Sequence, residues 1–389
     1  MENFIDRTQN DIHFTELLIA SLHKAKQIAQ QQLDPALFNA LQWPLNLKEY
    51  QDYLLVFSKW TPMESKEFIW RIPGTNGHQE IDDRTNHFYW LIDQEVGSKK
   101  TTLVQSIGWF SNWLVQYVQS WGSYLNTTDS FNSTTFDSFL NNAPLYRVED
   151  SMINGQPNTA GGWLTFNQFF ARKLNPGLRP IRNPFDNMMV SSPADCNYKS
   201  QYHIETDSSI PEIIIKNNHK FSNIENLLEG SKYKSAFANG TFVHYYLSTF
   251  SYHRFHAPAS GTIQECYPIH GLTYLDVKIK NAQFDSPDNA EDGYEFAQAR
   301  GVIIIDTTHS PYGNIGIVAV IPIGMCQVSS VNMTATVGSE LLKGDEFGYF
   351  LFGGSDIIVL FQDGVDPYID TNDSYRYYGS QIASCTKIC

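Results

Sequence analysis

The chain has 389 residues, of which 42% are hydrophobic and 14% aromatic, enough for a large core and, at this length, for two domains. A net charge of −14 argues against nucleic acid and against electrostatic docking on anionic lipid, since both need clustered Lys and Arg. No run of 18 apolar residues occurs and the start, Met1-Glu-Asn-Phe-Ile-Asp-Arg, lacks the apolar segment of a secretory signal, so the expected location is cytoplasmic with at most peripheral membrane contact.

Residues 11–124 read as predominantly helical and hold seven of the eight tryptophans. Leu17, Leu18, Ile19 and Leu22 suggest a short early helix. Between Thr101 and Leu125, Leu103, Ile107, Phe110, Leu114, Tyr117, Val118 and Trp121 recur at three- and four-residue spacing, which predicts an amphipathic helix on a core. Ser/Thr/Asn-rich sequence from Ser123 to Phe139 and the Asn154–Gly162 stretch predict loops and a boundary near residue 150.

Beyond it the pattern turns to short apolar runs: Ile210–Ile215, Phe242–Leu247, Thr273–Ile279, Val302–Asp306, Gly316–Ile323 and Phe347–Leu351, with Ile224–Leu228 as a helical segment. The predicted fold class is α+β, a helical N-terminal domain (1–150) followed by a β-rich domain (151–389). The five cysteines, Cys196, Cys266, Cys326, Cys385 and Cys389, form no disulfide framework.

Three segments of the second half carry groups capable of chemistry. Ser191-Ser-Pro-Ala-Asp195 offers an acid after a rigid turn, and Tyr252-His253-Arg254-Phe255-His256-Ala257-Pro258 offers two imidazoles beside an arginine. Phe352-Gly353-Gly354-Ser355 offers a hydroxyl on a bend between two strand-like runs. Taken separately, each reads as structural: a Gly-Gly hairpin, a hydrogen-bonded core histidine and a turn or cap aspartate. The two histidines have no third ligand at zinc spacing and Arg254 lies between them, so no metal is expected.

In their order, the segments resemble the phosphatidylserine decarboxylases, enzymes that make a pyruvoyl group from their own backbone. Phe169-Phe-Ala-Arg-Lys-Leu-Asn-Pro-Gly-Leu-Arg-Pro-Ile181 resembles the family's Phe-X-Arg-X-Leu-Lys-Pro-Gly-X-Arg-Pro-Ile segment. Ser192-Pro-Ala-Asp195, Tyr252-His-Arg-Phe-His-Ala-Pro258 and the final Gly-Ser resemble three further motifs. Two departures stand out: Phe352-Gly-Gly-Ser-Asp356 where the family usually has Leu-Gly-Ser-Thr, and Cys196 where Gly usually follows Ser-Pro-Ala-Asp. The form of these motifs is similar to a soluble branch that includes fungal L-tryptophan decarboxylases.

The resemblance implies self-cleavage between Gly354 and Ser355, giving a β-chain (1–354) and an α-chain (355–389) headed by a pyruvoyl group derived from Ser355, with neither pyridoxal phosphate nor metal. It implies that Asp195 orients His256, that His256 takes the proton of Ser355, and that His253 later serves as acid. The substrate amine would form a Schiff base on the ketone and release carbon dioxide. Arg254 and Arg300 are candidate substrate contacts. A free, aromatic L-amino acid is the expected substrate, with phosphatidylserine as the alternative. A non-cleaving serine hydrolase and a non-catalytic binding protein are the other classes, and homo-oligomerisation is left open.

Overall fold

The computed structural model describes residues 2–71, 79–99, 101–210, 223–286, 296–325, 330–353 and 355–385. Most of the run expected as strand Ile210–Ile215, together with Gly354, Cys326 and Cys389, lies outside the described residues. The architecture is α+β, with two compact units: Met1–Glu149, Ala160–Phe169 and Leu272–Pro287 in one, Asp150–Thr159, Phe170–Gly271 and Asp288–Cys389 in the other.

The first unit is built on helices. Ile12–Gln32, at 21 residues, is longer than its leucine cluster implied; Asp11 caps its start by accepting from the Phe14 N–H at 3.0 Å. Gly108–Tyr124 realises the predicted amphipathic stripe and buries Phe110, Trp113, Leu114, Tyr117, Val118 and Trp121. The apolar run Thr273–Ile279, expected as a strand, contributes only Lys278–Lys280 to a hairpin with Gln283–Asp285. Its preceding backbone is satisfied by side chains instead. Gln105 Nε2 donates to the Leu275 carbonyl at 2.9 Å, and the Val277 N–H donates to Asp93 at 2.9 Å, which removes the need for a ladder partner.

The second unit is organised by a seven-stranded antiparallel sheet. Its strand order is Glu340–Leu341, Gly261–Ile269, Ala299–Asp306, Ile317–Gly324, Ser355–Phe361, Thr241–Leu247 and Asn197–His203. Most of these runs were legible as apolar segments. Ser355–Phe361 is buried at every position because both faces of the sheet are covered. Ile357, Val359 and Phe361 join the layer containing Phe255, Phe347 and Phe350, while Ile358 and Leu360 join the layer containing Ile224, Leu227 and Phe237.

A smaller sheet orders Val331–Met333, Glu346–Phe350 and Arg254–His256, and another orders Tyr368–Ile369, Gln381–Ser384 and Met189–Ser191. This settles the reading of the Gly-Gly bend. Glu346–Phe350 and Ser355–Phe361 do not pair as a hairpin; they belong to different sheets. Gly353 has φ of +145°, a conformation that a side chain resists.

Candidate active site

The Ser-Pro-Ala-Asp segment is stitched by backbone hydrogen bonds to two others distant in sequence. The Ser191 N–H donates to the Pro258 carbonyl at 3.0 Å and the His256 N–H to the Pro193 carbonyl at 2.7 Å; Ser192 exchanges bonds with Ser380 and Gly379 at 2.7 and 3.0 Å. The Phe350 N–H donates to the His253 carbonyl at 2.9 Å, which ties the histidine segment to the strand before the Gly-Gly bend. Asp195, His253, His256 and Ser355 are thus carried by elements locked to one another, and all four are buried.

Ser355 opens an interior strand of the seven-stranded sheet, in register with Leu247 on one side and Gly324 on the other. The imidazole against its hydroxyl is that of His253, with Nδ1 3.2 Å from Oγ. The other ring nitrogen decides the tautomer. Nε2 of His253 lies 3.2 Å from the carbonyl oxygen of Thr249, and since a carbonyl can only accept, Nε2 carries the proton. The lone pair of Nδ1 is left facing the serine. Burial pushes the pKa of His253 down to about 3, with a smaller push from cationic Arg172, so the ring is neutral at ordinary pH. Phe170 stacks on it at 4.1 Å between centroids and meets Phe352 edge-on at 5.2 Å.

His256 was expected in that position, and it is placed differently. Its Nδ1 donates to the Gly344 carbonyl at 2.8 Å, and its Nε2 lies 3.1 Å from the Tyr252 hydroxyl. Burial lowers its pKa to about 4. Its face is covered by Tyr378, ring centroids 3.7 Å apart and planes within 3°. Asp195 was expected to orient His256 directly. Its carboxylate instead accepts from Nη2 of Arg179 at 2.7 Å, from Nε at 3.2 Å, and from the Tyr378 N–H at 2.8 Å. The Asp195 carboxylate therefore fixes the backbone of the residue whose ring covers His256. Oδ1, closest to the Tyr378 amide, is shared with Arg179, and side-chain exposure of the ion pair is only 5% and 3%.

Arg254 and Arg300, expected as substrate contacts, are engaged by the protein itself. Arg254 donates through Nε to the Ala171 carbonyl at 2.8 Å, pairs with Glu346 and lies over the Tyr349 ring. Arg300 donates to the carbonyls of Leu227, Gln298 and Asn226 at 2.8 to 3.0 Å, and burial lowers its pKa to about 10. Cys196, in the place of the usual glycine, is wholly buried, its thiol pushed up to about 12, and lies 3.4 Å from the Ser192 hydroxyl. It is a packing residue.

Five participants were missed by sequence reasoning: Thr249, which sets the tautomer, and Phe170, Arg179, Tyr252 and Tyr378. Phe170, Arg179 and Tyr252 sit inside the motifs already quoted and were open to notice. Tyr378 has no pattern around it. Among the described residues no group of three or more His, Cys, Asp or Glu is placed to hold a metal ion, and no helix is long and apolar enough to cross a membrane.

Comparison with known proteins shows the family. The phosphatidylserine decarboxylase family model matches residues 166–384, more than half of the chain. The chain belongs to the phosphatidylserine decarboxylase family. Among its relatives, phosphatidylserine decarboxylase proenzyme 2 of Oryza sativa is 36% identical over 202 residues, 51% of this chain and 29% of that protein. Proenzyme 3 of Schizosaccharomyces pombe is 31% identical over 255 residues, 63% of this chain and 23% of that protein. Decarboxylase iboD of Amanita muscaria is 25% identical over 276 residues, 65% of this chain and 77% of that protein. The match thus spans under a third of the two decarboxylase proenzymes but most of iboD.

Proposed function

We propose that this member of the phosphatidylserine decarboxylase family cuts its own chain before Ser355 and acts as a pyruvoyl-dependent decarboxylase. The observation that carries the reading is the tautomer of His253. With the Thr249 carbonyl holding the proton on Nε2, Nδ1 accepts the proton of the Ser355 hydroxyl without any rearrangement of the ring.

Proton transfer to Nδ1 frees the serine oxygen to attack the carbonyl carbon of Gly354. A carbon–oxygen bond forms, the carbon–nitrogen bond to residue 355 breaks, and the imidazolium returns its proton to the departing nitrogen. Loss of the Cα proton with cleavage of the Cβ–O bond then releases residue 354 as a carboxylate. Water hydrolyses the remaining enamine with loss of ammonia, which leaves the ketone. The residues around Ser355 fit such a group: the position is wholly buried, and its hydroxyl meets His253, whose ring is itself packed against Phe170 and Phe350. A pyruvoyl group supplies an electron sink for loss of carbon dioxide from an amino acid. His253, neutral and beside residue 355, is the group positioned to move a proton there. His256 and Asp195 act by holding Gly344, Tyr252 and Tyr378 in place.

For the substrate we favour a free aromatic L-amino acid. The extent of the iboD match supports it, as do the rings of Phe170 and Phe350 against His253, with Phe352 packed on Phe170. The rice and fission-yeast relatives, both named phosphatidylserine decarboxylase proenzymes, favour phosphatidylserine.

Intact-mass analysis of purified protein tests the first step. The expected result is a C-terminal fragment beginning at residue 355 and lacking an α-amino group; an uncut chain would mean a hydrolase or a binding protein instead. Carbon dioxide release from L-tryptophan, L-tyrosine, L-phenylalanine and phosphatidylserine vesicles, measured side by side, tests the second. Release from vesicles alone overturns the amino-acid assignment.

A further inference from the structure

We infer that His244 and Asp356 form a clamp that holds the start of the strand Ser355–Phe361 in register once the bond before Ser355 has been cut. The inference rests on the self-cleavage reading above. Asp356 directly follows Ser355, and its Oδ2 lies 3.3 Å from Nε2 of His244, with neither side chain exposed at all. The contact is diagonal across two neighbouring strands: Asp356 is opposite Tyr246, and His244 is opposite Ile358.

Strand alternation puts the Asp356 side chain on the face opposite that of Ser355. That face is otherwise aliphatic and aromatic, with Phe242, Ile321, Ile323, Ile358 and Leu360 in its core. A buried imidazole–carboxylate contact in such a layer is seldom more stable than apolar residues of similar volume; the best-attested use of buried polar pairs is to fix register. The place where register matters is one residue away. In the intact chain residue 355 is held from both sides, whereas in the cut chain it is a terminus, and chain termini fray unless tied down. A slip of one residue would turn every side chain of the strand to the wrong face, and an error of about 1 Å at the reacting group can cost about 100-fold in rate. The pair ties down the first residue after position 355 from the face opposite that of the Ser355 side chain, which meets His253.

The test uses cleaved protein carrying Asp356→Asn, His244→Gln, the apolar double variant Asp356→Leu with His244→Leu, or the exchange variant His244→Asp with Asp356→His. Three quantities are read: fragment masses, hydrogen exchange of the peptide that begins at residue 355, and steady-state carbon dioxide release from L-tryptophan and phosphatidylserine vesicles. All four variants should cleave. In both single variants and the apolar double, exchange over 355–361 should rise about tenfold and kcat fall about tenfold, with KM held within about twofold; the exchange variant should recover much of both. Exchange and kcat like the unaltered protein in Asp356→Asn and in the apolar double overturn the clamp. So does failure of these variants to cleave when the unaltered chain does. An unaltered chain that stays whole overturns the self-cleavage reading, and the clamp with it.

Discussion

The carboxylate of Asp195 reaches the ring of His256 by way of Tyr378: Oδ1 accepts the Tyr378 N–H at 2.8 Å, and the Tyr378 ring lies 3.7 Å from that of His256, nearly parallel. An acid and an imidazole that sequence places in one catalytic line are therefore joined by the backbone and ring of a third residue. That residue comes from the C-terminal segment, on the far side of Ser355.

The first prediction concerns His253. His253→Gln keeps a polar side chain but removes the imidazole lone pair facing Ser355, so self-cleavage should slow by at least about 100-fold, the lower range for loss of a positioned general base. His256→Gln should slow it less, since His256 acts through Gly344 and Tyr252. Time courses of fragment appearance check both, and equal effects would return His256 to the direct role.

Asp195→Asn should be costly to stability. It leaves Arg179 buried with a weakened partner, and removing one member of a buried pair typically costs about 3 to 5 kcal/mol. Asp150, 3.6 Å from Arg179 Nη1, offsets part of this, so the lower end is expected. Urea unfolding measures it. Tyr378→Phe should be nearly silent beside it, because the backbone N–H and the stacked ring both survive.

The pH dependence has a definite sign. His253 and His256 are held at about 3 and about 4, against 6.5 for the ordinary side chain. The unfolded chain therefore binds protons more readily than the folded one, so their contribution is complete above about pH 6.5 and is lost progressively as pH falls towards 4 and then 3. The urea midpoint should drop between pH 7 and pH 5, and less so in His253→Gln. The cleavage rate of the folded chain should show no titration near pH 6.5, since His253 remains neutral there.

Gly344 should not tolerate a side chain. Its φ is +90°, and a Cβ would lie 2.5 Å from Cδ1 of Ile181. Gly344→Ala should therefore cost about 1 to 3 kcal/mol from backbone strain alone, and it moves the carbonyl that anchors His256. Thermal unfolding and fragment appearance should both respond. Ile181→Ala in the same chain should relieve the steric part and leave the conformational part.

The sheet strands and the long amphipathic helix were readable because apolar periodicity reports burial directly: Val302–Asp306 and Phe242–Leu247 are found within one to three residues of their predicted limits. Thr273–Ile279 misled because its pattern of burial is satisfied by Gln105 and Asp93, side chains about 170 and 184 residues away in sequence, which leave no local trace. The same holds at the site. Ser355, His253, His256 and Asp195 were singled out by motif and lie on elements tied to one another, but the protonation that turns the His253 lone pair to the serine depends on the Thr249 carbonyl, and a backbone oxygen has no signature in sequence. The two arginines were picked for their charge, and only their carbonyl partners reveal that they serve the scaffold.

The bond proposed to break adjoins the most enclosed strand of the second unit, flanked by Ile317–Gly324 and Thr241–Leu247 along its full length. A severed C-terminal piece would remain gripped between neighbours from the other fragment, so the break would pass unnoticed in a native gel and show only after denaturation. Reassembly would then require two molecules to find each other. Maturation would convert a reversible folding equilibrium into one that depends on concentration, and dilution after unfolding would make the loss permanent.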